Sequence, residues 1–278
     1  LVIMTTAMGV LYIVATPIGN LEDITLRAIR TLKDVKLIAA EDTRKTRQLL
    51  NAYDIKTPTT SYHEHNKLTK LNYILKVLEQ DDVALVSDAG MPGICDPGYE
   101  LISSVAKQNV KIIPIPGPSV LTTALVVSGL PTESFCFLGF LPHKAGERRT
   151  LLKSRAEEKS TLVLFESPHR IAESLKDLLE IWGNRQAAVC REITKIYEEI
   201  FRGTLSEVIE HFSVPRGEFT LVIAGHTVTE KPQINPQIEN QLAAMKKSGI
   251  SSKEAIGQII EETGLSRKEL YQAWIKNN

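Results

Sequence analysis

The stretch from Val83 to Ile102 constrains this chain more than any other. Val83-Ala-Leu-Val86 is a short apolar run of the kind that forms a strand buried on both faces. It stops at Ser87-Asp88, and Gly90, Pro92, Gly93, Pro97 and Gly98 then forbid a continuous helix or strand. A helical pattern resumes after Gly98, with Tyr99, Leu101, Ile102 and Val105 as its apolar positions. Strand, tight loop and helix in that order put the Asp88 carboxylate at the carboxyl end of a buried strand, where open α/β sheets bind their ligands. The glycines let backbone N–H and C=O groups approach a bound molecule, which a plain connecting loop does not require.

The same unit recurs through the first half. Leu11–Ala15 reads as a strand stopped by Thr16-Pro17-Ile18-Gly19-Asn20, and Thr25 caps a helix with Leu26, Ile29 and Leu32 on one face. Leu37–Ala40 is a second buried strand. It ends on Glu41-Asp42-Thr43-Arg44 and leads into a basic helix with Arg44, Lys45 and Arg47. Leu68–Gln80 is helical, and a strand at Lys111–Ile115 runs into Pro116-Gly-Pro-Ser119 and a helix over Val120–Val127. This alternation predicts an α/β domain with a largely parallel sheet over residues 11–128.

Gly129-Leu-Pro131 marks a domain boundary. A second α/β domain over residues 129–226 has strands at Phe135–Leu138, Thr161–Phe165, Ala187–Cys190, Tyr197–Phe201 and Phe219–Ala224, and a helix at Ile171–Ile181. Strands that follow one another without a helix predict a mixed, partly antiparallel sheet. Residues 227–238 read as a linker rich in Thr, Pro, Lys and Glu, and residues 239–278 as a helical segment. Ser251, Gly264 and Ser266 punctuate that segment in the layout of a helix-turn-helix, or of a small packing appendage.

A chain of 278 residues is long enough for two domains. Lys+Arg and Asp+Glu both number 33, so no global basic field advertises a nucleic-acid partner, and any such partner must be met by local patches. Cys95, Cys136 and Cys190 are scattered without metal-ligand spacing and read as reduced thiols of a cytoplasmic protein. Leu1–Gly9 reads as a tail. The apolar start is too short for a membrane span and lacks the basic n-region of a signal peptide. Dinucleotide, phosphate-loop and zincin motifs are missing.

If the first-half strands are parallel, the loops at 16–20, 87–98 and 116–119 lie along one sheet edge. They offer glycine-exposed amides, the Ser87 and Ser119 hydroxyls and the Asp88 carboxylate, an inventory suited to a polar, neutral-to-cationic metabolite rather than a triphosphate. Candidate proton acceptors near such a cleft are Asp42, Asp88, Glu166, His169 and Glu192. Each also has a structural reading as a cap or surface residue.

Longer motifs add to this. Leu11-Tyr-Ile-Val-Ala-Thr-Pro-Ile-Gly-Asn20, Leu37-Ile-Ala-Ala-Glu-Asp-Thr-Arg44, Ala84-Leu-Val-Ser-Asp-Ala-Gly90, Asp96-Pro-Gly-Tyr99, Pro116-Gly-Pro118, Gly139-Phe-Leu-Pro142, Glu166-Ser-Pro-His-Arg170 and Arg191-Glu-Ile-Thr-Lys195 stand in this order. Together they resemble the bacterial small-subunit ribosomal RNA (cytidine-2′-O)-methyltransferases, members of the tetrapyrrole-methylase-like class of S-adenosylmethionine (SAM) enzymes. The Glu41–Arg44 block, and Ser87-Asp88-Ala89 where tetrapyrrole methylases carry Gly-Asp-Pro, favour the RNA branch.

The resemblance implies two α/β domains with SAM in the cleft between them, a homodimer, 16S ribosomal RNA within the small subunit as substrate, and no metal or membrane. Carried over residue by residue, it brings Pro17 and Ile18, the loop Ser87, Asp88, Ala89, Gly90 and Met91, then Ser119, Val120 and Phe165 to the cofactor. Asp42 is the expected base or ribose-orienting group. RNA contacts are expected from two basic stretches, Arg44, Lys45 and Arg47, and Lys144, Arg148, Arg149, Lys153 and Arg155. The alternatives are a precorrin or uroporphyrinogen methyltransferase and a non-catalytic RNA-binding assembly protein.

Overall fold

The computed structural model describes residues 8–64, 66–227 and 234–276. Residues 1–7 of the expected tail and 228–233 of the expected linker lie outside the described residues.

The first half contributes five strands: β1 (Leu11–Val14), β2 (Leu37–Ala40), β3 (Thr59–Ser61), β4 (Val83–Val86) and β5 (Ile112–Ile115). They form one sheet in the order β3-β2-β4-β1-β5, every pair parallel. Helices α1 (Leu26–Asp34), α2 (Thr43–Ala52), α3 (Lys67–Leu78), α4 (Tyr99–Lys107) and α5 (Val120–Ser128) make the connections. Alternate residues of each strand feed two cores. Val14, Ile38, Ala40, Ala84 and Val86 face one, and Leu11, Ile13, Leu37, Ala39, Val83 and Leu85 the other. That double covering is why β2 and β4 read as unbroken apolar runs. Pro114, which has no N–H for a ladder, is tolerated because β5 is an edge strand. Thr25 caps α1 as expected, accepting from the Ala28 N–H at 3.0 Å. Leu26 is exposed, however, and the buried face is set by Ala28, Thr31 and Leu32.

The second half forms a mixed sheet from β6 (Phe135–Phe140), β7 (Thr161–Glu166), β8 (Gln186–Arg191), β9 (Glu199–Thr204) and β10 (Phe219–Ile223), in the order β6-β7-β10-β8-β9. Only β6 and β7 run parallel. Helices α6 (Ala145–Ser154), α7 (Ile171–Trp182) and α8 (Leu205–His211) cover one face through Leu162, Leu164, Leu175, Val208 and Leu221. The opposite face turns Val163, Ala188, Cys190 and Val222 onto Ala124 and Leu125 of α5 and onto Ile18. The expected boundary at residues 129–131 therefore separates two sheets but not two compact units. A shared core joins them, and the described residues from 8 to 226 cluster as one.

The C-terminal unit begins at Thr227 and holds α9 (Pro236–Lys247), α10 (Ser252–Thr263) and α11 (Arg267–Lys276) around Ile238, Leu242, Ile256, Ile259 and Leu270. Ser251 caps α10 in a capping box with Glu254, and Gly264 ends it in the left-handed conformation. The linker expected over 227–238 is shorter than read. Asn235 accepts from the Ile238 N–H at 2.9 Å and Pro236 is the first helical residue, so 236–238 are the opening turn of α9. Among the described residues no helix is long and apolar enough to cross a membrane.

Candidate active site

The carboxyl ends of β1, β4 and β5 bring their loops together as the motif reading requires. Thr16 and Gly90 exchange backbone hydrogen bonds at 2.9 and 3.0 Å, and the Thr16 hydroxyl donates to the Ser87 carbonyl at 3.2 Å, locking the first loop onto the second. Gly90 makes this turn at φ +77°, where a side chain is strained. The first loop also reaches the second half. A Cβ on Gly19 would lie 2.5 Å from Lys195 Cγ and 2.7 Å from Thr194 Oγ1, so only glycine allows this approach. Glu192 and Thr194 on the far side, and Cys95 on the near side, hold positive φ without being glycine, a conformation that costs on the order of 1–3 kcal/mol each and collects at functional sites.

Between the loops and the face of the second sheet lies a cavity of about 480 Å³, in the range of small-molecule sites. Ile18, Met91, Val120, Leu121, Phe165 and Ile193 give it an apolar wall, and Phe165 is held edge-on by Phe137 and Phe140 at ring-centroid distances of 4.9 and 5.6 Å. Glu41, Asp88 and Asp96 give it an acidic one. Of the ten residues expected at a cofactor, Ile18, Asp88, Ala89, Gly90, Met91, Ser119, Val120 and Phe165 line this cavity. Pro17 and Ser87 are not on its wall. Ser87 is buried behind it.

The acidic wall is tightly wired. Asp88 accepts from the Asp42 N–H at 3.0 Å and from the Lys45 ammonium at 2.8 Å, while its own N–H donates to Glu41 at 3.1 Å. The Asp88 hydrogen bond raises the Lys45 pKa. Burial, with the Asp88 charge beside it, pushes Glu41 up. Asp96 is pushed up to about 6, first by burial and then by the charges of Glu41 and Asp88, against a stabilising hydrogen bond from Ser87. Opposite, Glu166 is buried and accepts from the Ser174 hydroxyl at 2.6 Å and the Ser167 N–H at 2.9 Å. Lys195 donates to Glu192 at 2.9 Å and to Glu218 at 2.8 Å. Burial opposes the charged form of Glu192, but the Glu218 N–H and the Lys195 ammonium outweigh it and the pKa falls.

Two expectations need correcting. Asp42 is not on the cavity wall. It caps α2, accepting from the Arg44 N–H at 2.9 Å, and binds the Arg44 guanidinium through both oxygens at 3.1 and 2.8 Å. Those bonds hold its carboxyl far below the usual range, so it is a poor proton acceptor. Arg148 is not a surface cation. Its side chain is 4 % exposed and its Nε lies 2.7 Å from Asp177, which is itself buried. Arg149 is half-exposed and pairs with Asp177 and Glu180. Arg44, Lys45, Arg47, Lys144, Lys153 and Arg155 are exposed. Sequence reasoning missed Glu41, Ile94, Cys95 and Asp96 as wall residues, although the Asp96-Pro-Gly-Tyr99 motif marked the place. It also missed Ile193, Lys195, Glu218 and Thr220, which only the sheet-to-sheet packing brings in.

The chain is similar to known proteins. The tetrapyrrole (corrin/porphyrin) methylase profile matches residues 10–209. The ribosomal RNA small subunit methyltransferase I of Halalkalibacterium halodurans is 48% identical over 277 residues, covering 96% of this chain and 94% of that protein. Its namesake in Thermotoga maritima is 51% identical over 221 residues, 78% of this chain and 99% of that one. Among solved structures, diphthine synthase superposes with TM-score 0.65 at 13% identity over 79% of this chain and 91% of that one. The uroporphyrin-III-C-methyltransferase of Thermus thermophilus does so with TM-score 0.55 at 18% identity over 77% and 94%. These two likenesses speak for the fold alone. The chain belongs to the tetrapyrrole methylase family and, within it, to the ribosomal RNA small subunit methyltransferase I group.

Proposed function

We propose that the chain transfers the methyl group of SAM to the ribose 2′-hydroxyl of a cytidine in 16S ribosomal RNA of the small subunit. The observation that carries this is the cavity itself, in a chain 48% identical to a protein named for small-subunit ribosomal RNA methylation. The cavity's donor set suits a cationic, adenine-bearing ligand. Ile18, Met91, Val120 and Phe165 offer an apolar slot, Gly90 leaves room for close backbone approach, and Asp88 and Glu41 complement a positive charge. When bound, SAM supplies an activated sulfonium methyl. The chain's own residues then have to orient the acceptor and exclude water, and alignment of that kind is worth up to about 7–11 kcal/mol. RNA phosphates are met by the exposed Arg44, Lys45 and Arg47 of α2 and by Lys144, Lys153 and Arg155 around α6.

The test is transfer from methyl-labelled SAM to purified small ribosomal subunits, with a tetrapyrrole as the competing acceptor. The expected result is label in a ribose-methylated cytidine after nuclease digestion. Label on the tetrapyrrole supports the uroporphyrinogen-type alternative. SAM binding without transfer to either acceptor supports the assembly-protein alternative.

A further inference from the structure

We propose that an open hollow beside the cavity receives the acceptor nucleoside, and that Asp96, on the wall the two share, is the catalytic base that takes the hydroxyl proton. This rests on the methyltransferase reading above.

The hollow encloses about 520 Å³, with Glu64, Tyr99 and Glu100 among its walls. Glu41, Cys95 and Asp96 border both spaces. A methyl displacement needs donor carbon, attacking oxygen and proton acceptor at one place, and this shared wall is where a group can face both substrates. Of its three members, Glu41 already accepts the Asp88 N–H, which fixes its position. Burial raises the Cys95 thiol, which leaves it protonated at neutral pH. Asp96 accepts a hydrogen bond from Ser87 and has no cationic partner among the described residues. It is a carboxylate with free acceptor capacity, half-buried between the two spaces.

The hollow's own charge sorts the acceptor. Carboxylates at Glu41 and Asp96 repel phosphate, so the neutral sugar and base enter while the phosphodiester stays at the rim, beside the α2 cations. Tyr99, 73 % exposed, offers a face on which a base can stack. In the step, the hydroxyl oxygen forms the new O–C bond, the carbon–sulfur bond breaks with its electron pair passing to sulfur, and the hydroxyl proton passes to the Asp96 carboxylate and then to water. The titratable groups around Asp96 are Asp88 on its own loop, and Glu41 with Lys45 behind it from the β2–α2 turn. His63, Glu64, Tyr99 and Glu100 line the hollow with it, Cys95 borders both spaces, and Glu166, Lys195 and Glu218 line the cavity.

The test is Asp96→Asn in the full chain. Single-turnover transfer to small subunits should fall about 100-fold, in the range of general-base effects. SAM affinity by calorimetry should stay within about twofold. The wild-type rate should rise with pH through about 6, and the variant should lose that limb. Tyr99→Ala should raise KM for subunits several-fold with little change in kcat. Independently of activity, the ¹³C carboxyl resonance of Asp96 should titrate near pH 6 in the wild-type chain. A wild-type rate or an unchanged pH limb in Asp96→Asn, with SAM still bound, overturns the base and leaves the methyltransferase reading standing. Wild-type protein that neither binds SAM nor methylates subunits removes both. Should Asp96→Asn fail to fold, the resonance decides, and titration near pH 4 overturns the proposal.

Discussion

The carboxylates of the first half and those of the second are met in opposite ways. Around the cavity, Glu41, Asp88 and Asp96 crowd one wall, and Lys45, paired to Asp88, is the cation at hand. Burial first, and then this crowding of charge, pushes Glu41 and Asp96 up. In the second half, Asp177 is clasped by Arg148 and Arg149, and Glu166 by Ser174, the Ser167 N–H and Arg170 at 3.4 Å. A scaffold that buries charge satisfies it, since an unpaired buried charge is costly. A site that leaves charge unsatisfied keeps it for a ligand. In the proposed reaction the first half carries the chemistry and the second holds the wall against which it is done.

That contrast breaks most violently at Arg148. Arg148→Ala leaves Asp177 buried with only a half-exposed partner, so urea unfolding should show a loss of about 3–5 kcal/mol. Arg149→Ala, at a partly solvated pair, should cost less than about 1 kcal/mol. Equal losses would erase the distinction between scaffold and surface cation.

Asp88→Ala should weaken SAM binding by at least about tenfold in a chain that still folds, or about 1.4 kcal/mol. Unchanged affinity by calorimetry would make Asp88 a mere brace for Lys45 and α2.

Asp96 sharpens the contrast through stability. Its folded pKa of about 6 lies above the ordinary 3.8, so the folded chain holds a proton that the unfolded chain has released. The stability this gives is present below pH 4 and lost as pH rises through 6. Asp96→Asn removes the charge that has to be confined, and should raise stability at pH 7.5 by about 1 kcal/mol after solvent screening, with little effect at pH 4. A variant no more stable than wild type at pH 7.5 would show that the charge is well solvated.

The smallest effect is expected at Asp42. Asn caps a helix about as well as Asp, so Asp42→Asn should change single-turnover transfer by less than about threefold. A tenfold drop would return Asp42 to the chemistry.

Much of this architecture is legible in the chain. Leu37–Ala40 and Val83–Val86 are strands with the bounds read from their apolar runs, because a doubly covered sheet leaves no polar face to blur them. β3 was not legible. Thr59-Thr-Ser61 is polar, three residues long and an edge strand, so its pairing comes from the neighbouring strand and not from its own pattern. The cavity's near wall was readable from the loops that glycine and proline mark. Asp96 lay within a quoted motif, yet its weight depends on burial and on Glu41 and Asp88, distances that no spacing encodes. Arg148 shows the reverse failure. A run of cations looks uniform in sequence, while one helical position turns inward to meet Asp177, 29 residues on. Lys195 and Glu218 belong to the site through strand pairing alone.

The account stands most directly on one measurement, a crystal structure of the full chain with S-adenosylhomocysteine. The expected result is density for the thioether in the cavity lined by Ile18, Asp88, Gly90, Val120 and Phe165, with the hollow beyond Asp96 left open. Density elsewhere on the chain, or a cavity closed by side chains with the ligand excluded, would contradict it.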